Sequence, residues 1–453
     1  MHELIILGGG PAGYLAAERA GAAGLATALI EKNKIGGVCL NEGCIPSKTL
    51  LNSAKIYEHA KHGQVYGVHA EKVTLDQPAV IQRKNKVVKK LVAGITATLK
   101  AGKVNIINGT GTILERADGV VRVAVGDQVV EGRRLLIATG SEALVPPIPG
   151  VKEGLLDGTV LTNREILDLQ EIPQNLVVIG GGVIGLEMAG YFQTCGSQVT
   201  VIEMLDHIAG NADREISTAL QQAFTIQGIR FHLNSQVTRV ADGKVYFKNS
   251  NGEQAVAADR VLLSVGRRPV TRDIVLENIG VDVVRGRIVT DRQGLTNVPD
   301  VYAAGDVNGA WMLAHAAYRE AEVVINTILG KKDIMRYQAM PSVIYTNPEM
   351  AFVGETEETC HEKQLNYRKV VLPMTFSGRY MAENDGGNGL IKLLVDNDRE
   401  RILGCHLLGG YASEIILAAG FMVETEMKIS DIKEFIFPHP TVGEIIREAI
   451  FHT

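Results

Sequence analysis

Tryptophan occurs once in 453 residues, and aromatic side chains make up only 5% of the chain. The fold is therefore not expected to lean on aromatic packing. Cysteine is scarce too: five in this length do not make the disulfide framework of a small secreted domain. No uninterrupted apolar run reaches about 18 residues, so no segment is expected to span a membrane. No signal-peptide pattern precedes the first strand, Leu4-Ile5-Ile6-Leu7, and a cytoplasmic location is expected. A strong charge of either sign is missing as well. Lys+Arg 46 against Asp+Glu 51 leaves −5, which argues against nucleic acid as the natural partner.

What is present is 46% hydrophobic residues, 49 glycines and length for about three domains. The glycines gather in a motif that occurs twice. Leu4–Leu7 runs into Gly8-Gly9-Gly10-Pro11-Ala12-Gly13, then an Ala-rich helix to about Ala23, then a strand Thr27–Ile30 ending in Glu31. Leu176–Ile179 likewise runs into Gly180-Gly181-Gly182-Val183-Ile184-Gly185, a helix, and Gln198–Ile202 ending in Glu203. The acid follows the third glycine by the same interval in both. Strand, glycine turn, helix, strand and acid together form the βαβ dinucleotide fingerprint. The glycines admit a pyrophosphate to the backbone, the helix N-terminus favours its charge, and the acid can bind ribose hydroxyls. Two copies predict two dinucleotides, with one working site and one relic as the plainer alternative. Glu203 welcomes a free 2′-hydroxyl, and no arginine follows in Met204-Leu205-Asp206, which favours NAD over NADP.

Between the two copies stands Gly36-Gly37-Val38-Cys39-Leu40-Asn41-Glu42-Gly43-Cys44-Ile45-Pro46-Ser47-Lys48. Five helical residues advance roughly 7.5 Å, and a bridge needs Cα atoms within about 7 Å. If the cysteines pair, the segment is a distorted helix start, which Gly43 and Pro46 permit. A helix beginning there favours thiolate. The alternative is two buried structural cysteines. Cys195, Cys360 and Cys405 have no partner nearby in sequence and read as ordinary thiols.

Cys39 to Lys48 resembles the redox-disulfide motif of the dihydrolipoamide dehydrogenases, members of the FAD-dependent pyridine nucleotide–disulfide oxidoreductases. The family usually has Thr where this chain has Val38. The resemblance implies a Cys39–Cys44 disulfide, with Cys39 exchanging with substrate and Cys44 facing the flavin. The first fingerprint then binds FAD through Gly8, Gly10, Pro11, Ala12, Gly13, Glu31 and Lys32, joined by Gly37, Val38, Cys39 and Lys48. Further FAD contacts are implied at Gly111, at the Thr139-Gly140-Ser141 turn, at Asp306 in Val301–Asp306, and at Met312, Leu313, Ala314 and His315. For His315 an ordinary helix-start residue is the alternative. The second fingerprint binds NAD through Gly180, Gly182, Val183, Ile184, Gly185, Glu187 and Glu203, with Val237 and Gly266. Lys48 and Glu187 resemble the ion pair beside the flavin. His439, in Phe437-Pro-His-Pro-Thr-Val-Gly-Glu444, is the implied base for the substrate thiol, and Glu444 fixes its tautomer. No metal is implied.

The fold class implied is α/β, with two Rossmann-like domains and an α+β C-terminal dimerisation domain. Its segments are 1–145 (FAD), 146–268 (NAD), 269–335 (FAD and central) and 336–453 (interface). Tyr57 to Leu99 reads as helical, and Lys84, Lys86, Lys89 and Lys90 as a solvated helix face. The activity implied is oxidation of dihydrolipoamide with transfer of hydride to NAD. The partners are a second copy and a lipoyl-bearing protein of a 2-oxo acid dehydrogenase complex or of the glycine cleavage system. The rivals are a reductase of another disulfide, such as glutathione's or, more weakly, of mercuric ion, and a non-catalytic FAD- and NAD-binding scaffold. The four residues Cys39, Cys44, His439 and Glu444 speak against the scaffold.

Overall fold

The structure, a computed structural model, describes residues 1–387 and 389–453. The chain forms two compact units. The first holds residues 1–49, 81–144 and 266–336, and the second residues 50–80, 145–265 and 337–453.

The first unit is built on a sheet in the order Asn105–Asn108, Thr27–Glu31, His2–Leu7, Gln128–Ile137, Val120–Val125, Gly111–Ala117. The first four strands run parallel, and Val301–Ala303 adds a parallel partner to Gln128–Ile137. Both faces of the parallel part are covered, which is why its strands are near-continuous apolar runs. Successive side chains face opposite ways. Leu4, Ile6 and Leu29 join a core with Ala12, Ala16 and Ala20 of the helix Pro11–Ala22. Ile5, Leu7 and Ile30 join another with Val121 and Val123 of the antiparallel meander.

The stretch expected to be helical from Tyr57 to Leu99 is interrupted. One helix runs Cys44–Lys61 and the next Gln77–Ala101, with only the short 3-10 turn Gly63–Tyr66 between them. Gly67 and Lys72 there take left-handed conformations, which no helix continues through. Lys84 also departs from expectation, being buried at 2% exposure. It stands one turn from buried Ile81, and the helix face that turns Ile81 inward carries Lys84 with it. Lys86, Lys89 and Lys90 are exposed, as a solvated face requires.

The second unit contains a parallel sheet ordered Arg230–His232, Gln198–Ile202, Asn175–Ile179, Arg260–Leu263, Val160–Leu161. A three-stranded antiparallel sheet, Gln236–Ala241, Lys244–Asn249 and Gly252–Ala257, shares its core through Val237, Val245 and Phe247. The C-terminal part is a five-stranded antiparallel sheet, Ser342–Ile344, Met350–Gly354, Ile402–Leu408, Leu390–Asp396 and Tyr367–Pro373. The helices Ala412–Glu424 and Glu444–Phe451 cover it, burying Ile415, Ile416, Ile445 and Ile446 against Ile391, Leu393 and Leu407. The expected class, two dinucleotide-type parallel sheets plus an α+β module, is the one observed.

A buried ionic cluster lies within this unit. Lys392, 1% exposed, places Nζ 2.8 Å from Asp213 Oδ1 and 3.0 Å from Glu215 Oε2, and it also contacts Glu357. Burial works against the ammonium, but these contacts outweigh it and hold the Lys392 pKa above the ordinary lysine value. Asp213 also caps the helix Arg214–Ile226 by accepting from the Glu215 amide, and it accepts from the Glu357 amide. Among the described residues, no helix is long and apolar enough to cross a membrane.

Candidate active site

The two glycine turns are superimposable in role. Gly8 and Gly180 both have φ +103°, a conformation few other residues adopt. A Cβ on Gly13 would stand 1.7 Å from Gly8 O, and one on Gly185 2.3 Å from Gly180 O. These third glycines let helix and strand close on each other. The middle glycines differ: a Cβ on Gly182 would meet nothing within 4 Å, and one on Gly10 nothing nearer than Gly37 Cα at 3.8 Å. Tight turn, open approach, close packing is the division of labour a pyrophosphate site needs. Glu31 accepts from the Gly9 amide at 2.6 Å and from Asn33 at 2.7 Å; Glu203 accepts from the Gly181 amide at 2.6 Å and from Leu205 at 2.8 Å. Each acid therefore braces the glycine turn it follows. The residues fit two dinucleotides.

The cysteine segment is seated on the first of these turns. Gly36 and Gly37 are both left-handed, Gly36 N donates to Gly9 O at 2.8 Å, and a Cβ on Gly37 would stand 2.6 Å from Gly10 Cα. A short helix, Gly37–Glu42, carries Val38 and Cys39. Asn41 ties it down by donating to Ile35 O and Gly37 O. Gly43 then leaves helical geometry, with φ −151° and ψ −105°, and Cys44 opens the helix Cys44–Lys61. Two helical pieces meeting at Gly43, rather than one distorted turn, bring the Cα atoms to 4.7 Å, and Cys39 and Cys44 form a disulfide. Pro46 lies in the first turn, where its missing N–H costs nothing. Cys44 thus sits at a helix N-terminus, where the backbone dipoles favour its thiolate once the bond opens.

A third segment converges on the same place. Gly305, with φ +78°, leads into the turn Asp306–Asn308, and a Cβ on Gly305 would stand 3.2 Å from Ala12 Cβ. Asp306 accepts a hydrogen bond from Ser141 Oγ. Burial raises the Asp306 pKa, against the opposing effects of Ser141 and of the Arg267 charge. Arg267 donates to Ser141 Oγ at 2.7 Å and to Ser141 O at 2.8 Å. Thr139 donates to Val270 O and Gly140 O accepts from Val270 N, so the 139–141 turn is held against the returning chain. Arg267 is a site residue that motif reading passed over. Its signal was the arginine pair before Pro269, of which Arg267 holds the serine that donates to half-buried Asp306.

In the second unit His439 Nδ1 lies 2.6 Å from Glu444 Oε1, and Thr441 N donates to Glu444 Oε2 at 2.8 Å. The Thr441 amide and His439 hold the Glu444 carboxyl below the usual glutamate range. His439 is 78% exposed at its side chain, leaving Nε2 available. Buried Glu187, in the helix Val183–Thr194, accepts from the Tyr345 amide at 3.1 Å. Half-buried Lys48 lies on the helix that Cys44 opens. Lys32 is exposed, as is His315 in the first turn of the helix Ala314–Ile328, which Met312 and Leu313 precede. Gly111 is buried where a Cβ would strike Leu7, and the Val237 side chain lies in the core. Any ligand contact at these two would use backbone. Gly266, at φ +120°, has open space around it. Cys360 and Cys405 are buried, and burial pushes the thiols of Cys195, Cys360 and Cys405 up to about 12, 11 and 12.

A disulfide seated on a dinucleotide turn suits one kind of chemistry, two-electron exchange between a dithiol and a bound nucleotide. With a second nucleotide turn on its own sheet, this is the plan of a two-nucleotide disulfide oxidoreductase. Residues 2–321 match the model of the pyridine nucleotide-disulphide oxidoreductases, and residues 340–450 the dimerisation domain of the same family. The chain belongs to that family and is an oxidoreductase working with FAD and NAD. It is 37% identical over 450 residues to a dihydrolipoyl dehydrogenase of Mycoplasma pneumoniae, covering 99% of this chain and 97% of that one. It is 37% identical over 461 residues to the mitochondrial dihydrolipoyl dehydrogenase of Bos taurus, covering 99% and 89%. Similar solved structures include LpdA of Mycobacterium tuberculosis, with TM-score 0.90, 26% identity and coverage of 100% and 99%. The HOCl-induced flavoprotein disulfide reductase RclA of Escherichia coli gives 0.88 and 29%, covering 100% and 99%.

Proposed function

We propose that the chain is an NAD-dependent dihydrolipoyl dehydrogenase, acting in the cytoplasm as a homodimer on a separate lipoyl-bearing protein. The observation that carries this is the disulfide on the first glycine turn, in a chain 37% identical along its length to dihydrolipoyl dehydrogenases. In this reading residues 1–145 and 269–335 bind FAD, 146–268 bind NAD and 336–453 form the interface. When bound, FAD takes up the electron pair and NAD accepts it as hydride. The protein's own part is thiol chemistry. His439 Nε2 takes a proton from one substrate thiol, since Nδ1 is engaged by Glu444. The thiolate attacks Cys39 Sγ, the Cys39–Cys44 bond breaks, and Cys44 leaves as thiolate. The second substrate thiol then attacks the mixed disulfide, closing the substrate's ring and freeing Cys39. In this reading the Glu203 carboxylate, which follows the second glycine turn, selects NAD over NADP.

The test is turnover of dihydrolipoamide with NAD beside reduction of glutathione disulfide with NADPH. Preference for the second pair would reject the proposal. The shared site is tested by mixing His439→Gln and Cys44→Ser chains under different tags. The mixed dimer should recover roughly half the normal rate if the base serves the partner's disulfide. No recovery would reject sharing.

A further inference from the structure

Three glutamates stand in one relation to three glycine turns. Gly9 N to Glu31 Oε2, Gly181 N to Glu203 Oε2 and Gly305 N to Glu320 Oε2 are each 2.6 Å. The first two glutamates are the fingerprint acids. The third comes from within the helix Ala314–Ile328, 4% exposed, on a face it shares with Ala316, Ala317, Ala321 and Val324. A carboxylate on an apolar face is costly unless it meets donors there. Glu320 Oε2 meets a second one, Asn308 Nδ2, at 3.0 Å. Asn308 is itself buried and closes the one-turn helix that Asp306 opens. The two donors thus flank Asp306 on both sides in sequence, Gly305 before it and Asn308 after it. Gly305 needs its amide turned inward in a conformation reserved for glycine, φ +78° with ψ −162°.

We propose that Glu320 is a positioning residue of the flavin site, fixing the turn that presents Asp306 without touching the cofactor. This rests on the reading of Asp306 as an FAD contact. Holoproteins carrying Asp306→Ala, Glu320→Ala, Glu320→Gln and the double Asp306→Ala/Glu320→Ala change are compared with the parent. The quantity read is the rate of FAD release on dilution, followed by flavin fluorescence. Glu320→Ala should speed release about tenfold or more, as expected for losing charge-assisted bonds. Glu320→Gln, which keeps an acceptor for Gly305, should speed it only about threefold. The double variant should release FAD no faster than Asp306→Ala alone, because both changes act through one contact. Unchanged release in Glu320→Ala, or effects that multiply in the double variant, would overturn the proposal while leaving Asp306 in place. Unchanged release in Asp306→Ala would instead remove the Asp306 reading, and the proposal with it. Where Glu320→Ala yields no holoprotein, Glu320→Gln carries the test, and a parental release rate there overturns the proposal.

Discussion

Glu444 accepts with both carboxylate oxygens, Oε1 from His439 Nδ1 at 2.6 Å and Oε2 from the Thr441 amide at 2.8 Å. It is also the first residue of the terminal helix Glu444–Phe451, where a negative charge is favoured. One carboxylate thus fixes both the position of the imidazole and the nitrogen that carries its proton.

Replacing Glu444 with Gln should lower kcat for dihydrolipoamide about 100-fold. The fold should stay near parental stability, since an amide oxygen still accepts from Thr441. The Thr441 amide and His439 keep the Glu444 carboxyl ionised below the usual glutamate range. Glu444 should therefore stay ionised as the pH falls from 8 to 5, and the acid limb of the kcat profile should carry no proton taken up by this carboxyl. Infrared difference spectra showing protonation of Glu444 in that range would contradict the arrangement.

The middle and third glycines of the second turn should fail differently. Gly182→Ala puts a Cβ into empty space at φ −81°, so unfolding free energy should change by less than about 0.5 kcal/mol. Its KM for NAD should nonetheless rise tenfold or more, about 1.4 kcal/mol. Gly185→Ala puts a Cβ 2.3 Å from Gly180 O and should destabilise by at least about 2 kcal/mol. Normal NAD affinity in Gly182→Ala would show that the open space before Gly182 is not where the nucleotide lies.

Lys392→Met should cost about 3–5 kcal/mol at pH 7, because it leaves buried Asp213 and its acidic neighbours without their cation. Burial opposes the charge of Asp213 and Glu357, but hydrogen bonds from Lys392 outweigh it and depress both pKa values. Their contribution is therefore present above the unfolded carboxylate range of about 4 and lost as pH falls through the folded values. In the variant burial is unopposed and raises the same carboxyls, which then take up protons by pH 4, so urea unfolding at pH 7 and pH 4 should show the gap between parent and variant narrowing in acid. A gap independent of pH would remove the ionic account of this cluster.

Alkylation should sort the five thiols. After reduction by a dithiol at pH 7.5, iodoacetamide should label Cys39 and Cys44. Cys195, Cys360 and Cys405, with thiols pushed up to about 12, 11 and 12, hold a thiolate fraction on the order of 10⁻³ or less. Mass spectrometry showing fast labelling of any of these three would refute their inertness.

Both nucleotide turns were legible in the sequence because each role in them demands glycine at a fixed interval from a strand and a helix. The cysteine segment was legible in its chemistry, though the join of two helices at Gly43 was not, since it depends on Gly36 and Gly37 docking on Gly9 and Gly10. What escaped were charged residues whose partners lie far along the chain. Arg267 reaches Ser141, Glu320 reaches Gly305, and Lys392 reaches Asp213. Lys84 shows the same limit from the other side: a cluster of four lysines reads as solvent-facing, while tertiary packing turns one of them inward. Local pattern sets which residues are charged; the fold decides which of those charges are buried.

The Asp213–Lys392 contact also bears on how such chains can be recombined. Asp213 starts the helix that follows the second nucleotide turn, and Lys392 lies on a strand of the C-terminal sheet, which carries its own core. A hybrid that takes one of these parts from a relative lacking the matching partner inherits an unbalanced buried charge cluster at the join. Exchange of parts between members of this family should then succeed only where acid and lysine travel together, whatever the overall identity of the two parents.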